Sequence, residues 1–220
     1  MRLFLSSDKF GNRMDLLTAL AGQGARVAVI ANALDLIPQP NRETYARLVH
    51  DPAAELDAAG LRASALDLRD YFGTPEKLER VLGALDMVWV TGGNAFLLRR
   101  AMRQSGFDRV AAPLIHAGKL VYGGWSAGTV VACPNLKGIE LMDDPNQIAP
   151  GYDPVPIFDG LDLIPFHLVP HYDCGHAEGP AAEKVTMYLL DQALPYRTMR
   201  DGDVIIRDEN GIKAYEASTA

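Results

Sequence analysis

The stretch Tyr122-Gly123-Gly124-Trp125-Ser126-Ala127-Gly128-Thr129 decides how the chain is read. An apolar run, residues 120–122, enters it, and small, helix-compatible residues leave it. Within it, Gly124-x-Ser126-x-Gly128 has the pattern of a nucleophile elbow, a sharp strand-to-helix turn. Such a turn brings neighbouring backbone so close that only glycine fits two positions before and after the serine. The serine hydroxyl then stands on a strained tip beside the N-terminus of the next helix, where unpaired N–H groups favour negative charge. The competing reading of Ser126 is a structural turn serine.

Upstream of this stretch, apolar runs at 3–6, 27–31, 63–68 and 87–91 read as strands, those at 27–31 and 87–91 as strands covered on both faces. Helical segments lie between them: 12–21, 41–50, one that Asp51-Pro52 opens and Gly60 ends, 75–82, 95–102 and 107–116. Asp51-Pro52 and Thr74-Pro75 each pair a capping residue with a first-turn proline. Strand and helix alternate to about residue 132, the pattern of a mostly parallel sheet with helices on both faces, an α/β sandwich of three layers. Residues 134–160, rich in Pro, Asp, Asn and Gly, form a long excursion of the kind that is usually functional. A strand at 166–171, a helix at 179–192 and short strands at 196–200, 204–207 and 212–215 complete the chain. Asn210-Gly211 is a strong hairpin signal between the last two. With no repeat and no linker, residues 1–220 read as a single domain.

The bulk properties narrow the function. The chain has 220 residues, 48% hydrophobic and 22% charged, enough for a sizeable core. A net charge of −7 argues against nucleic acid and against an anionic membrane surface as partners. The two cysteines, Cys133 and Cys174, make no disulfide framework. The first residues hold too short an apolar run for a signal peptide, and no run approaches a bilayer span, so the expected compartment is the cytoplasm. There is no Gly-x-Gly-x-x-Gly and no Gly-Lys-Ser/Thr, and no cofactor is expected. A homodimer is compatible with the sequence.

A serine nucleophile needs a base, and the base an orienting group. Of the five histidines, His50 and His116 read as solvated surface residues. His171 stands where an apolar strand breaks into a polar loop, the end of an open parallel sheet at which active sites gather. His167 reads as a hydrogen-bonded core histidine, and His176 as a loop residue able to touch substrate. His171, Asp173, Cys174 and His176 are also possible zinc ligands, but no standard ligand spacing is present and no metal is expected. Cys133 reads as a core filler. The acid is open on spacing alone: Asp143, Asp144, Asp153, Asp159 and Asp162 lie between serine and histidine, whereas Asp201, before Gly202, follows the histidine. Thr91-Gly92-Gly93-Asn94 ends a strand and opens a helix. The N–H groups of Gly93 and Ala127 are therefore candidates for an oxyanion hole, with Gly92 and Asn94 beside the substrate. Asn94 also suits a helix N-cap, and Arg99, Arg100 and Arg103 read as the exposed face of that helix.

Gly92-Gly93-Asn94-Ala95-Phe96-Leu97-Leu98, some thirty residues before Gly124-Trp125-Ser126-Ala127-Gly128, with His171 and Asp201-Gly202 after it, resembles the S51 serine peptidase family, to which aspartyl dipeptidase (peptidase E) and cyanophycinase belong. The resemblance covers nearly the whole chain. It implies a glutamine-amidotransferase-like (flavodoxin-like) fold and the triad order serine, histidine, acid: Ser126, His171 and Asp201. Peptidase E has glutamate at the acid position, so Asp201 is a departure. The oxyanion hole implied is Gly93 with Ala127, and the substrate a dipeptide or tripeptide, with N-terminal aspartate the peptidase E preference. Residues 134–160 are expected to close over such a substrate. Two other readings stand beside this one: an esterase of the α/β-hydrolase type, with its acid among Asp143–Asp162, and a non-catalytic protein that binds a small ligand at the same edge.

Overall fold

A computed structural model describes residues 1–217. Seven strands form the central sheet: β1 (Leu3–Ser6), β2 (Arg26–Ile30), β3 (Arg62–Ala65), β4 (Met87–Val90), β5 (Val121–Trp125), β8 (Val204–Asp208) and β9 (Gly211–Tyr215). Their order is β3-β2-β4-β5-β1-β8-β9. The first five pair in parallel, and β8 and β9 close one edge as an antiparallel hairpin. Asp208 pairs with Gly211, so the turn residues are Glu209-Asn210, one position before the hairpin signal. The Asn210 N–H donates to Asp208 Oδ1 at 2.7 Å, an Asx turn that sets this register.

Strand alternation splits the core into two layers. Leu3, Leu5, Ala28, Ile30, Val88, Val90 and Tyr122 face one side, Phe4, Val27, Val29, Met87, Trp89 and Val121 the other. The first layer is covered by α4 (Pro75–Leu82), α5 (Ala95–Ser105), α6 (Phe107–His116), α7 (Ala127–Val130) and α8 (Gly179–Asp191). The second is covered by α1 (Met14–Ala21) and α3 (Pro52–Ala58), through Leu17, Ala21 and Leu56. The expected sandwich of mostly parallel sheet and helices is the observed architecture.

Three local expectations are corrected. The strand expected at 166–171 is β6 (His167–Val169), and it does not join the main sheet. It pairs in parallel with β7 (Tyr196–Thr198) as a separate two-stranded sheet. The helix expected at 41–50 runs earlier, as α2 (Gln39–Leu48); none of its residues is buried, and Tyr45, Leu48 and the following Val49 are all exposed. In α5, Arg99 and Arg100 are not an exposed face but are fully buried; Arg103 alone of the three is exposed. Arg99 Nε donates to Asp159 O at 2.8 Å, and Arg100 donates to the carbonyls of Pro145, Gln147 and Pro154. Residues 134–160 lie across this helix and supply the carbonyls that replace water around both guanidinium groups, without which burial would be prohibitive.

Candidate active site

Strand β5 delivers Ser126 into a turn that the backbone can make in only one way. Ser126 has φ 48° and ψ −114°, outside the ordinary regions for an L-residue. A Cβ on Gly128 would stand 2.3 Å from Val90 O, and one on Gly124 would stand 2.8 Å from Gly128 C, so both glycines are steric requirements. The Tyr122 hydroxyl donates to Gly128 O at 2.6 Å. Thr129 Oγ1 lies 2.8 Å from Ser6 O and 2.9 Å from Gly124 O. The expected elbow is present, and Ser126 is 7% exposed at its tip.

The oxyanion candidates meet at this tip. A Cβ on Gly92 would come within 3.0 Å of Ser126 Cβ, so the Gly92-Gly93 loop abuts Ser126 directly. Gly93 has φ 130°, and a Cβ there would lie 2.6 Å from Ala33 O. Among the described residues, neither the Gly93 N–H nor the Ala127 N–H donates a hydrogen bond. Asn94 caps α5 by accepting from the Leu97 N–H at 2.9 Å, and its Nδ2 donates to Asp144 O and Gln147 Oε1. Its amide therefore also ties the 134–160 excursion to the loop.

His171 follows β6, is 1% exposed and takes φ 60°. Its Nδ1 stands 2.7 Å from Asp201 Oδ1. Burial works against the Asp201 charge, but the hydrogen bonds from His171 and Ser7 and the attraction of the imidazole outweigh it and hold the carboxyl down at about 2. Among the described residues, none of Asp143, Asp144, Asp153, Asp159 and Asp162 hydrogen-bonds to His171. On the other side of the ring, Nε2 lies 3.6 Å from Glu178 Oε2, and the His176 ring stacks on His171 with centroids 3.9 Å apart. No hydrogen bond joins Ser126 Oγ to His171 among the described residues.

Ser7, just past the carboxyl end of β1, was not singled out by the sequence. It is fully buried and touches all three of Ser126, His171 and Asp201. Its carbonyl accepts from the Ser126 N–H at 3.1 Å, and its Oγ accepts from the His171 N–H at 2.8 Å. The same hydroxyl lies 3.0 Å from Asp201 Oδ1 and 3.3 Å from Met199 O, either of which takes its proton. Nothing in the Ser6-Ser7 pair distinguishes this serine before the sheets are assembled. The signal available was only its position at a strand end on the same edge as the elbow.

The remaining candidates divide. His167 is the buried, hydrogen-bonded histidine expected, 3.0 Å from Asn135 Oδ1 and 3.2 Å from Pro195 O. Cys133 is buried, and burial pushes its thiol up to about 12. His116 is exposed, but His50 is not solvated: it is 4% exposed, with Nδ1 2.7 Å from Glu55 Oε1. Of the four possible zinc ligands, only His171 and His176 share a cluster, and their third member is Glu178, with ligand atoms within 4.8 Å of one another. Asp173 instead pairs with Arg200, and the Cys174 thiol donates to His171 O.

The sequence profile of peptidase family S51 matches residues 8–215. The chain belongs to peptidase family S51. Peptidase E of Streptomyces coelicolor is 30% identical over 194 residues, covering 86% of this chain and 70% of that protein. An uncharacterized peptidase of Listeria innocua is 35% identical over 121 residues, 54% of this chain and 53% of its own length. The match thus spans about half the length of that Listeria relative. A crystal structure of a candidate peptidase E protein from Listeria monocytogenes superposes with a TM-score of 0.79 at 26% identity, covering 99% of this chain and 98% of that one. A peptidase from an acI-B1 Actinobacterium shares the fold, with a TM-score of 0.68 at 14% identity. Among the described residues of this S51 member, no helix is long and apolar enough to cross a membrane.

Proposed function

We propose that this chain is a serine peptidase that hydrolyses short peptides, dipeptides and tripeptides, through Ser126, His171 and Asp201. The observation that carries the reading is the Ser7 bridge, which holds an elbow serine and a buried histidine–carboxylate pair on one residue. His171 takes the Ser126 proton as the hydroxyl attacks the scissile carbonyl. Asp201 on Nδ1 fixes the tautomer that leaves Nε2 free to accept, and stabilises the imidazolium that forms. The Gly93 and Ala127 N–H groups, which have no other acceptor, take the oxyanion. Gly92 and Asn94 shape the loop at which the acyl carbonyl arrives. His171 then protonates the leaving amine, and water releases the acyl-enzyme. Because Nε2 faces Glu178 in the free chain, substrate binding has to bring Nε2 onto Ser126 Oγ, a contact that often tightens only in the complex.

The test is direct. Ser126→Ala should remove turnover of a dipeptide and tripeptide panel with the fold intact, and a serine-directed phosphonate should label Ser126 in the unaltered chain. Turnover that survives Ser126→Ala refutes the assignment. Hydrolysis of short esters with no peptide cleaved would favour the esterase reading instead.

A further inference from the structure

A cavity of about 740 Å³ opens on the Gly92-Gly93 loop and on Trp125, next to the nucleophile. This is within the range of small-molecule sites, well beyond what a small acidic side chain fills. Ala31, Leu34 and Ile37 line it from the β2–α2 connection, Tyr45 and Ala46 from α2. Two observations fix what it can hold, and both rest on the peptidase reading above.

The first is its side. In acyl transfer the base must hand its proton to the leaving amine, so the leaving residue lies against His171. None of His171, His176, Glu178 or Asp201 borders the cavity, whereas the oxyanion loop does. The cavity therefore faces the acyl residue, the one whose carbonyl is attacked.

The second is its charge. Arg42 and Arg69 border the cavity and would be the groups to receive a substrate carboxylate. Both are already engaged. Arg42 Nη1 stands 3.1 Å from Asp35 Oδ1, and Arg69 Nε lies 2.9 Å from Asp67 Oδ2 and 3.5 Å from Asp35 Oδ2. The Tyr152 hydroxyl and Asn32 Nδ2 close the same network on Asp35. With Glu43 also on the wall, three carboxylates face two guanidinium groups. A further carboxylate would enter a region with no unneutralised cation. Gln39, Asn41, His50 and Thr91 also border the cavity and add no unpaired cation, since Glu55 holds His50; the attraction that remains is the apolar part of the wall, which a side chain would remove from water.

We propose that this cavity is the acyl-side specificity pocket and that it takes a large apolar side chain, leucine or phenylalanine, in preference to aspartate. The test is a series of dipeptides, Phe-Ala, Leu-Ala, Ala-Ala, Lys-Ala and Asp-Ala, with the full chain. We expect kcat/KM for Phe-Ala and Leu-Ala to exceed that for Asp-Ala at least tenfold. Filling the cavity with Ala46→Phe should lower the Phe-Ala to Ala-Ala ratio several-fold, with an unchanged thermal midpoint reporting an intact fold. Asp-Ala or Lys-Ala as the best substrate, or a ratio that Ala46→Phe does not move, overturns the pocket and leaves the peptidase reading standing. No turnover of any dipeptide or tripeptide by the folded chain overturns both.

Discussion

The two halves of the candidate site are built by different means. The half proposed to supply the nucleophile, Ser126, lies on the seven-stranded sheet, where β5 is flanked on both sides by parallel partners. Its geometry follows from backbone contact: Gly124 and Gly128 leave no room, and Tyr122 and Thr129 tie the turn from either side. The half proposed to supply the base, His171, hangs from the two-stranded β6–β7 sheet, and side-chain bonds to Asp201 and Ser7 place it. A turn held by close-packed backbone can lose one bond and keep its shape. A ring held by two or three side-chain bonds cannot. Removing a tie should therefore cost stability on the first half and turnover on the second.

The largest expected effect is on the base. Asp201→Asn should lower kcat by about 10³- to 10⁴-fold, with the fold unchanged by circular dichroism, because the wrong tautomer then faces the serine. If activity is retained, the acid lies elsewhere and the base half has been misread. Next comes the bridge between the halves. Ser7→Ala removes the acceptor for the His171 N–H and should cost about ten- to a hundredfold in kcat, with KM little changed, as expected of a displacement that does not touch substrate. An equal loss in both constants would show that Ser7 serves binding. On the nucleophile half, Tyr122→Phe removes the bond to Gly128 O and should cost about 1–2 kcal/mol by urea unfolding while leaving kcat nearly unchanged. A large fall in kcat there would dissolve the contrast.

The smallest effect probes the excursion where it meets the site. Asp143 Oδ2 accepts from the Ala95 N–H at 2.7 Å. Burial pushes its carboxyl up to about 7; the Ala95 hydrogen bond opposes this, while the nearby Glu178 adds to it. A folded-state value above the unfolded one means that this group's stabilising contribution is present below about pH 4 and lost as pH rises through about 7. Asp143→Asn keeps an acceptor and removes the titration. Its thermal midpoint relative to the parent chain should rise between pH 4 and pH 8, at roughly 3 °C for each kcal/mol of difference. A difference that is flat with pH would show that the carboxyl is not held in its neutral form.

The same contrast separates what was legible in the sequence from what was not. The elbow is written in consecutive residues because its requirement is steric and local, and Gly124, Ser126 and Gly128 could be read without knowing the fold. The alternation of strands and helices up to α7 was legible for the same reason. Asp201 was one of six candidate acids until the resemblance to a family ordered them, because its bond to His171 spans 30 residues of sequence. Ser7 stayed invisible: its bond to His171 spans 164 residues and exists only once β1 lies between β5 and β8. Arg99 and Arg100 misled because charged residues on a helix are ordinarily solvated; the carbonyls that solvate them instead arrive from a segment without a repeating pattern. His50 misled in the same way, since the wall that buries it includes Phe10 and Trp125, far from it along the chain.

Ser126 and His171 share one further property: both take positive φ, 48° and 60°, without being glycine. Each conformation is disfavoured for an L-residue by about 1–2 kcal/mol. Glycine at either position would relieve that strain and delete the functional side chain in the same step. The two residues on which turnover is proposed to depend are thus among the places where chemistry and folding pull in opposite directions. A selection for thermal resistance run without a selection for hydrolysis would find them early, and would return a sturdier protein that has stopped working.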